Sequence, residues 1–200
     1  MPSSVRGNKW GSMRFEDVLH IVRARRTVQR FAPGEVPDEV VQAALEAARW
    51  APAHRCTWPW RFVLPGPKTR RDLFEIGLAM QVEAKGGSSE ALRRAVEAKL
   101  LHPDRLVVVV QRLAEDPVVR EEDYASCAAA IQNAMLVVAA AGFGSKWGTG
   151  ALTREPRALD LLGVDVDRER VVGFLWIGRV EVSPGAPPRP SLETLVRHLP

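Results

Sequence analysis

Arg25-Arg26-Thr27, flanked by Arg23 and Arg30, gathers five guanidinium and hydroxyl side chains in a short stretch just past an apolar-sided segment. Guanidinium groups grip a phosphate as a two-pronged fork, and a threonine hydroxyl adds one more donor. Arg23, Arg26 and Arg30 share the spacing of one helical face, so the five groups cannot all meet one ligand if the segment stays helical. A solvated basic helix end is the competing reading. A second stretch, Ala51-Pro52-Ala53-His54-Arg55-Cys56-Thr57-Trp58-Pro59-Trp60-Arg61-Phe62, puts a histidine and two tryptophans where a helix gives way to a strand. His54 can contact a ligand, titrate near neutrality, or simply cap a turn. Trp58 and Trp60 fit two roles, flanking a flat ring or closing a core cluster over the sheet, and the core role is favoured for Trp60. A third stretch, Gly142 to Gly150, is rich in glycine and polar donors, so its backbone N–H groups can approach a ligand closely, although a generic loop has the same composition. Together the first two stretches read as a site for a phosphorylated, aromatic ligand.

Other chemistries lack their residues. Gly142 to Gly150 has no Gly-Lys-Ser/Thr ending, and no G-x-G-x-x-G follows a strand. There is no G-x-S-x-G elbow, and His20, His54, His102 and His198 are too scattered for a metal site. Glu121, Glu122 and Asp123 read as a solvated helix start. With no protein nucleophile and no metal, no side chain is assigned a catalytic role, and the chemistry has to come from a bound cofactor.

Composition agrees. The 200 residues suit one domain, and 46% apolar with 26% charged residues reads as soluble and globular. The net charge of +4 is small and interspersed, which argues against a nucleic-acid partner. The cysteines, Cys56 and Cys127, form no framework and suit a reducing cytoplasm. Residues 1–13 read as a loose polar tail without an apolar signal core, leaving residues 14–200 as the domain. The apolar run from Tyr124 to Phe143 contains Ser126, Gln132 and Asn133 among many alanines, so it reads as a buried helix rather than a membrane span.

The elements that must position these residues follow from periodicity and punctuation. Helices are expected over Phe15 to Arg23, from Pro37 to Ala51, over Thr69 to Met80, Glu90 to Leu101, Asp123 to Ala141 and Pro156 to Leu162, with a last turn in Ser191 to Leu199. Strands are expected over Arg61 to Leu64, Arg105 to Gln111 and Val171 to Gly178, the last two apolar enough to be buried on both faces. Arg26 to Pro33 reads as an irregular exit, Lys85 to Ser89 as the loosest internal loop, and Pro184 to Pro190 as extended chain.

Five motifs in order carry a resemblance. Arg-Arg-Thr-x-x-Arg-Phe, Ala-Pro-Ala-His-x-x-x-x-Pro-Trp-Arg-Phe, Gln132 in an alanine-rich helix, Gly-Phe-Gly-x-x-Trp-x-Thr-Gly and Val-Gly-Phe-Leu-Trp-Ile-Gly together resemble the FMN-dependent nitroreductase family. The similarity is closest to its compact NAD(P)H nitroreductase-like subgroup and runs from Arg14 to Arg197. The resemblance implies an α+β fold with a central mixed, mainly antiparallel sheet surrounded by helices. It also implies an interlocked homodimer with two FMN sites at the subunit interface, the alanine-rich helix at its centre and the proline-containing tail reaching over the partner. On this resemblance Arg25, Arg26 and Thr27 match the residues that hold the FMN phosphate and ribityl chain, and Arg189 a late basic residue for the phosphate. Ala53 and His54 match a pair that approaches the flavin from the other subunit. Trp147, Gly148, Thr149 and Gly150 match the loop beside the isoalloxazine ring. The chain departs from the subgroup at Ala53, where Asn or Asp is usual, and at Gly148, where arginine is frequent.

The activity implied is ping-pong hydride transfer from NADH or NADPH through flavin N5 to a nitroaromatic, quinone or other conjugated acceptor. A family member with a different reaction and a non-catalytic FMN-binding protein are the alternatives.

Overall fold

The run Leu106-Val-Val-Val-Val110 is buried on both faces and forms the middle of the molecule. It belongs to a strand, β3 (Arg105–Arg112), in a computed structural model that describes residues 14–199. The proposed tail at 1–13 lies outside the described residues. In chain order the elements are α1 (Phe15–Ala24), β1 (Phe31–Ala32), α2 (Asp38–Arg49), β2 (Trp60–Val63), α3 (Pro67–Lys85), α4 (Glu90–Leu100), β3, α5 (Pro117–Ala140), β4 (Gly144–Gly148), α6 (Pro156–Leu161), β5 (Glu169–Val180) and α7 (Leu192–Leu195), with 3-10 turns at His54–Cys56 and Ala151–Arg154.

The five strands form one sheet in which β5 pairs with β3, β4 and β1, and β3 pairs with β2. Every one of these ladders is antiparallel, and Thr27 makes a single parallel bridge to Ser145. The mainly antiparallel sheet that the resemblance implies is therefore present, with this isolated bridge as its one parallel contact among the described residues. In the β3–β5 register Val109 faces Gly173 while Val110 faces Val171, so Val172 is an extra residue on β5. That bulge keeps the two faces in phase. Leu106, Val108, Val110, Phe174 and Trp176 face one core with α3, α4 and α6. Val107, Val109, Val172, Leu175 and Ile177 face the other, with α2 and α5.

Small residues let α2 and α5 pack closely. Ala44 and Ala48 of α2 meet the core that holds Cys127, Ala130 and Ala134 of α5, and Asn133 Nδ2 donates to the Ala47 carbonyl at 3.2 Å. The long helix starts six residues earlier than its apolar run suggests. Asp116 caps it by accepting from the Val118 N–H at 2.8 Å, and Pro117 occupies the first turn. Among the described residues no helix is long and apolar enough to cross a membrane.

Two strands have no counterpart in the sequence expectations. β1 is only two residues long, too short for alternation to register. β4 reads as a glycine loop, yet Gly144 and Gly148 are strand residues because β5 offers an edge. A Cβ on Gly144 would come within 2.6 Å of Val28 and 2.8 Å of Val180, so only glycine lets the two segments close on β4 here.

Candidate active site

The basic segment leaves α1 at Arg25, whose extended ψ of 130° ends the helix. Arg26 folds back to donate to the carbonyls of Arg23 and Arg25. Arg25 behaves differently: its Nε and Nη1 are buried and have no hydrogen-bond partner among the described residues. Burial pulls its pKa below the ordinary arginine value, and the positive fields of Arg26 and then Arg189 push in the same direction. Arg189, 164 positions further along the chain, therefore stands within electrostatic reach of the same corner. The chain then runs along the outer edge of β4: Thr27 bridges Ser145, and the Val28 N–H donates to the Ser145 carbonyl at 3.0 Å. The Ser145 hydroxyl is also buried without a partner among the described residues.

A guanidinium with two nitrogens held out of water, repelled by two like charges and lacking an acceptor among the described residues, is costly unless an anion completes it. The donor set offered here suits a phosphate monoester. Ser145 has no motif that singles it out in the sequence; its significance comes only from its pairing with Thr27.

Beyond Ser145, β4 carries the glycine-rich site residues. Trp147 lies over Gly173 at the bulge and donates from Nε1 to the Val172 carbonyl at 3.3 Å. Gly148 lines a cavity of about 490 Å³ together with Thr149, Gly150 and Trp176. A Cβ added to Gly148 would meet Trp176 at 3.6 Å, an ordinary contact, so the absence of a side chain there is not forced by packing. Thr149 and Gly150 are exposed, and the latter's carbonyl accepts from Thr153 Oγ1 at 2.8 Å. Lys146, on the opposite face of β4 from Trp147, donates to Gln29 Oε1. Burial lowers the pKa of its ammonium, with Lys99 adding to the effect.

Ala53 and His54 stand apart from this group. They open a turn held against the second turn of α5, where Thr57 Oγ1 donates to Asp123 Oδ1 at 2.5 Å and His54 Nε2 lies 3.9 Å from Glu122 Oε1. Among the described residues no hydrogen bond or ion pair joins this turn to Arg25, Arg26 or Thr27. Arg55, Cys56 and Trp58 all adopt positive φ, at 56°, 54° and 47°, a conformation that side chains other than glycine rarely take. Trp58 is half exposed and packs edge-to-face on the partly buried Trp60, with ring centroids 5.9 Å apart. Of the residues singled out in the sequence, the structure thus brings Arg25, Arg26, Thr27 and the Trp147–Gly150 stretch around β4, with Arg189 in electrostatic reach of Arg25, and leaves Ala53 and His54 on a separate, strained turn. Among the described residues no cluster of three or more His, Cys, Asp or Glu side chains could hold a metal ion.

Residues 22–179 match the model of the Nitroreductase family. The chain is 31% identical over 163 residues to YdjA of Escherichia coli K12, a provisionally named NAD(P)H nitroreductase, covering 81% of this chain and 87% of the relative. In structure it is similar to a nitroreductase-like family protein from Bacillus cereus, with a TM-score of 0.79 at 24% identity, covering 94% of this chain and 99% of that one. It is also similar to the FMN-dependent nitroreductase NfnB from Mycobacterium smegmatis, solved in complex with NADPH, with a TM-score of 0.74 at 16% identity, covering 93% and 99%. The chain belongs to the nitroreductase family.

Proposed function

We propose that this protein is an FMN-dependent oxidoreductase that takes reducing equivalents from NADH or NADPH and passes them to a nitroaromatic, quinone or other conjugated acceptor in two alternating half-reactions. The observation that carries the reading is the half-buried Arg25 guanidinium, without a hydrogen-bond partner among the described residues and facing the like charges of Arg26 and Arg189. Arg25, Arg26 and Arg189 would neutralise the FMN phosphate, with Thr27 and Ser145 as hydroxyl donors. Trp147 to Gly150 would line the ring, offering backbone N–H groups rather than a charged side chain. FMN, when bound, supplies hydride acceptance and donation, which none of the twenty side chains performs. The residues of the chain anchor, orient and exclude water, and none acts as nucleophile.

The same reading makes the functional unit a homodimer. Phe15, Val18, Leu19 and Val22 of α1 are exposed in the single chain, as are Leu192, Leu195 and Leu199 near α7. Apolar surface of this extent favours burial against another copy. The strained turn at Ala53–His54, separated from the arginine corner in one chain, would serve the site of the partner. The free thiols of Cys56 and Cys127 suit the cytoplasm.

The deciding experiment is the visible spectrum of the purified protein, followed by anaerobic addition of NADH and of NADPH. A yellow protein bleached by one or both nucleotides is expected. A colourless protein that takes up no FMN would refute the cofactor assignment, and a yellow one that neither nucleotide bleaches would refute the donor.

A further inference from the structure

The chain has 23 arginines and only five lysines, Lys9, Lys68, Lys85, Lys99 and Lys146. Three of the five line the cavity beside Gly148, and among the described residues no arginine does. No aspartate or glutamate lines it either. Among the described residues Lys85, Lys99 and Lys146 make no ion pair, whereas Lys68, elsewhere on the surface, is paired with Asp72 at 2.7 Å. The rest of the wall is largely apolar, with Met80 from α3, Leu92 and Val96 from α4, and Phe174 and Trp176 from β5. The cavity is therefore a greasy hollow with an uncompensated positive side.

The arginine corner does not account for these lysines. It lies where Thr27 meets Ser145, and side chains alternate along a strand, so Lys146 points to the face of β4 opposite Ser145. Lys146 is held by the neutral amide of Gln29, which positions its ammonium without cancelling the charge. Lys99 approaches from α4 and is exposed at the rim. A flexible ammonium at a cavity rim suits an anion of variable shape better than a rigid guanidinium fork does.

We propose that this cavity takes a flat, conjugated molecule bearing an anionic group, a carboxylate or phosphate, with Lys99 and Lys146 holding the anion and the apolar wall covering the conjugated part. Resting on the function proposed above, this makes the preferred acceptor an acid rather than a neutral molecule.

The test compares 4-nitrobenzoate with its neutral analogue 4-nitrobenzamide on the flavin-loaded protein, as kcat/KM with a fixed nicotinamide donor. In parallel, binding of each compound is followed by quenching of tryptophan fluorescence without any nucleotide, since Trp176 lines the cavity. The acid is expected to bind and turn over about tenfold better than the amide, the worth of a charge-assisted contact. The preference should shrink in 0.5 M salt, fall several-fold in Lys99→Met, and return in Lys99→Arg. Equal binding of acid and amide, or an acid preference untouched by Lys99→Met, would overturn the proposal. Because the quenching experiment needs no turnover, it separates acid from amide binding even if the protein fails to accept electrons from either nucleotide.

Discussion

Replacing Arg25 by methionine should make the apoprotein more stable and the flavoprotein weaker. Methionine keeps most of the unbranched stem and removes the guanidinium. In the apoprotein Nε and Nη1 are buried without partners among the described residues, and Arg26 and Arg189 repel the charge. Relief of an unsatisfied buried donor contributes about 1 kcal/mol or more, which in a domain of this size raises Tm by about 2–4 °C. With FMN the sign reverses. Two charge-assisted hydrogen bonds to phosphate, at about 1.5–3 kcal/mol each, are lost, which weakens binding by roughly 10²–10⁴-fold. Differential scanning fluorimetry of the flavin-stripped protein reads the first effect, and flavin fluorescence titration reads the second. A lower apo Tm in Arg25→Met would mean that Arg25 is a structural residue. An unchanged FMN affinity would mean that the phosphate sits elsewhere.

Other changes have clear expected outcomes. Gly173→Ala puts a methyl 2.1 Å from Trp147 Nε1 and 3.0 Å from the Gly148 carbonyl, so the indole must move; a loss of about 1–3 kcal/mol, checked by urea unfolding, should accompany a changed near-UV circular dichroism signal. Glu169 accepts a two-pronged contact from Arg61, and that hydrogen bonding lowers its carboxyl pKa below the ordinary 4.5. The stabilisation is thus fully present above about pH 4.5 and is lost as pH falls through the lowered value, so Glu169→Gln should cost about 1 kcal/mol at pH 7 and nothing in strong acid, as urea titrations at both pH values would read. Cys127 is fully buried, and burial first, then Asp123, pushes its thiol up to about 12. Iodoacetamide at pH 8 should leave it unmodified in the native protein and alkylate it in denaturant, read by peptide mass spectrometry.

Strong periodicity makes most elements legible, above all the Leu-Val-Val-Val-Val core of β3 and the apolar faces of α2 and α4. Boundaries are less legible: Asp116-Pro117, a cap followed by a first-turn proline, starts α5 six residues before the expected Asp123. β4 is illegible because Gly-Ser-Lys-Trp-Gly, with its two glycines, has low strand propensity, and the open edge of β5 makes it a strand. The same limit applies to the site. Arg25 and Arg26 announce themselves by charge density, but the convergence of Arg189 depends on the path of the tail. The hydroxyl of Ser145 and the lysine-lined cavity depend on which face of β4 each side chain takes, and a strand that cannot be foreseen has no foreseeable faces.

β4 spans both ends of the site. Ser145 at one end touches the arginine segment, and Gly148 at the other lines the cavity, ~10 Å apart at strand rise. Slipping this strand by one residue against β5 would exchange the faces of Lys146 and Trp147, and the close approach of Val28 and Val180 at Gly144 forbids the slip. On the proposed function, anchoring and selection are thus yoked to one rigid ruler, yet draw their side chains from different helices. Substitutions on α4 can therefore retune which molecules enter while the grip on the phosphate stays as it is, a division of labour that lets one scaffold change its diet without relearning how to hold its tool.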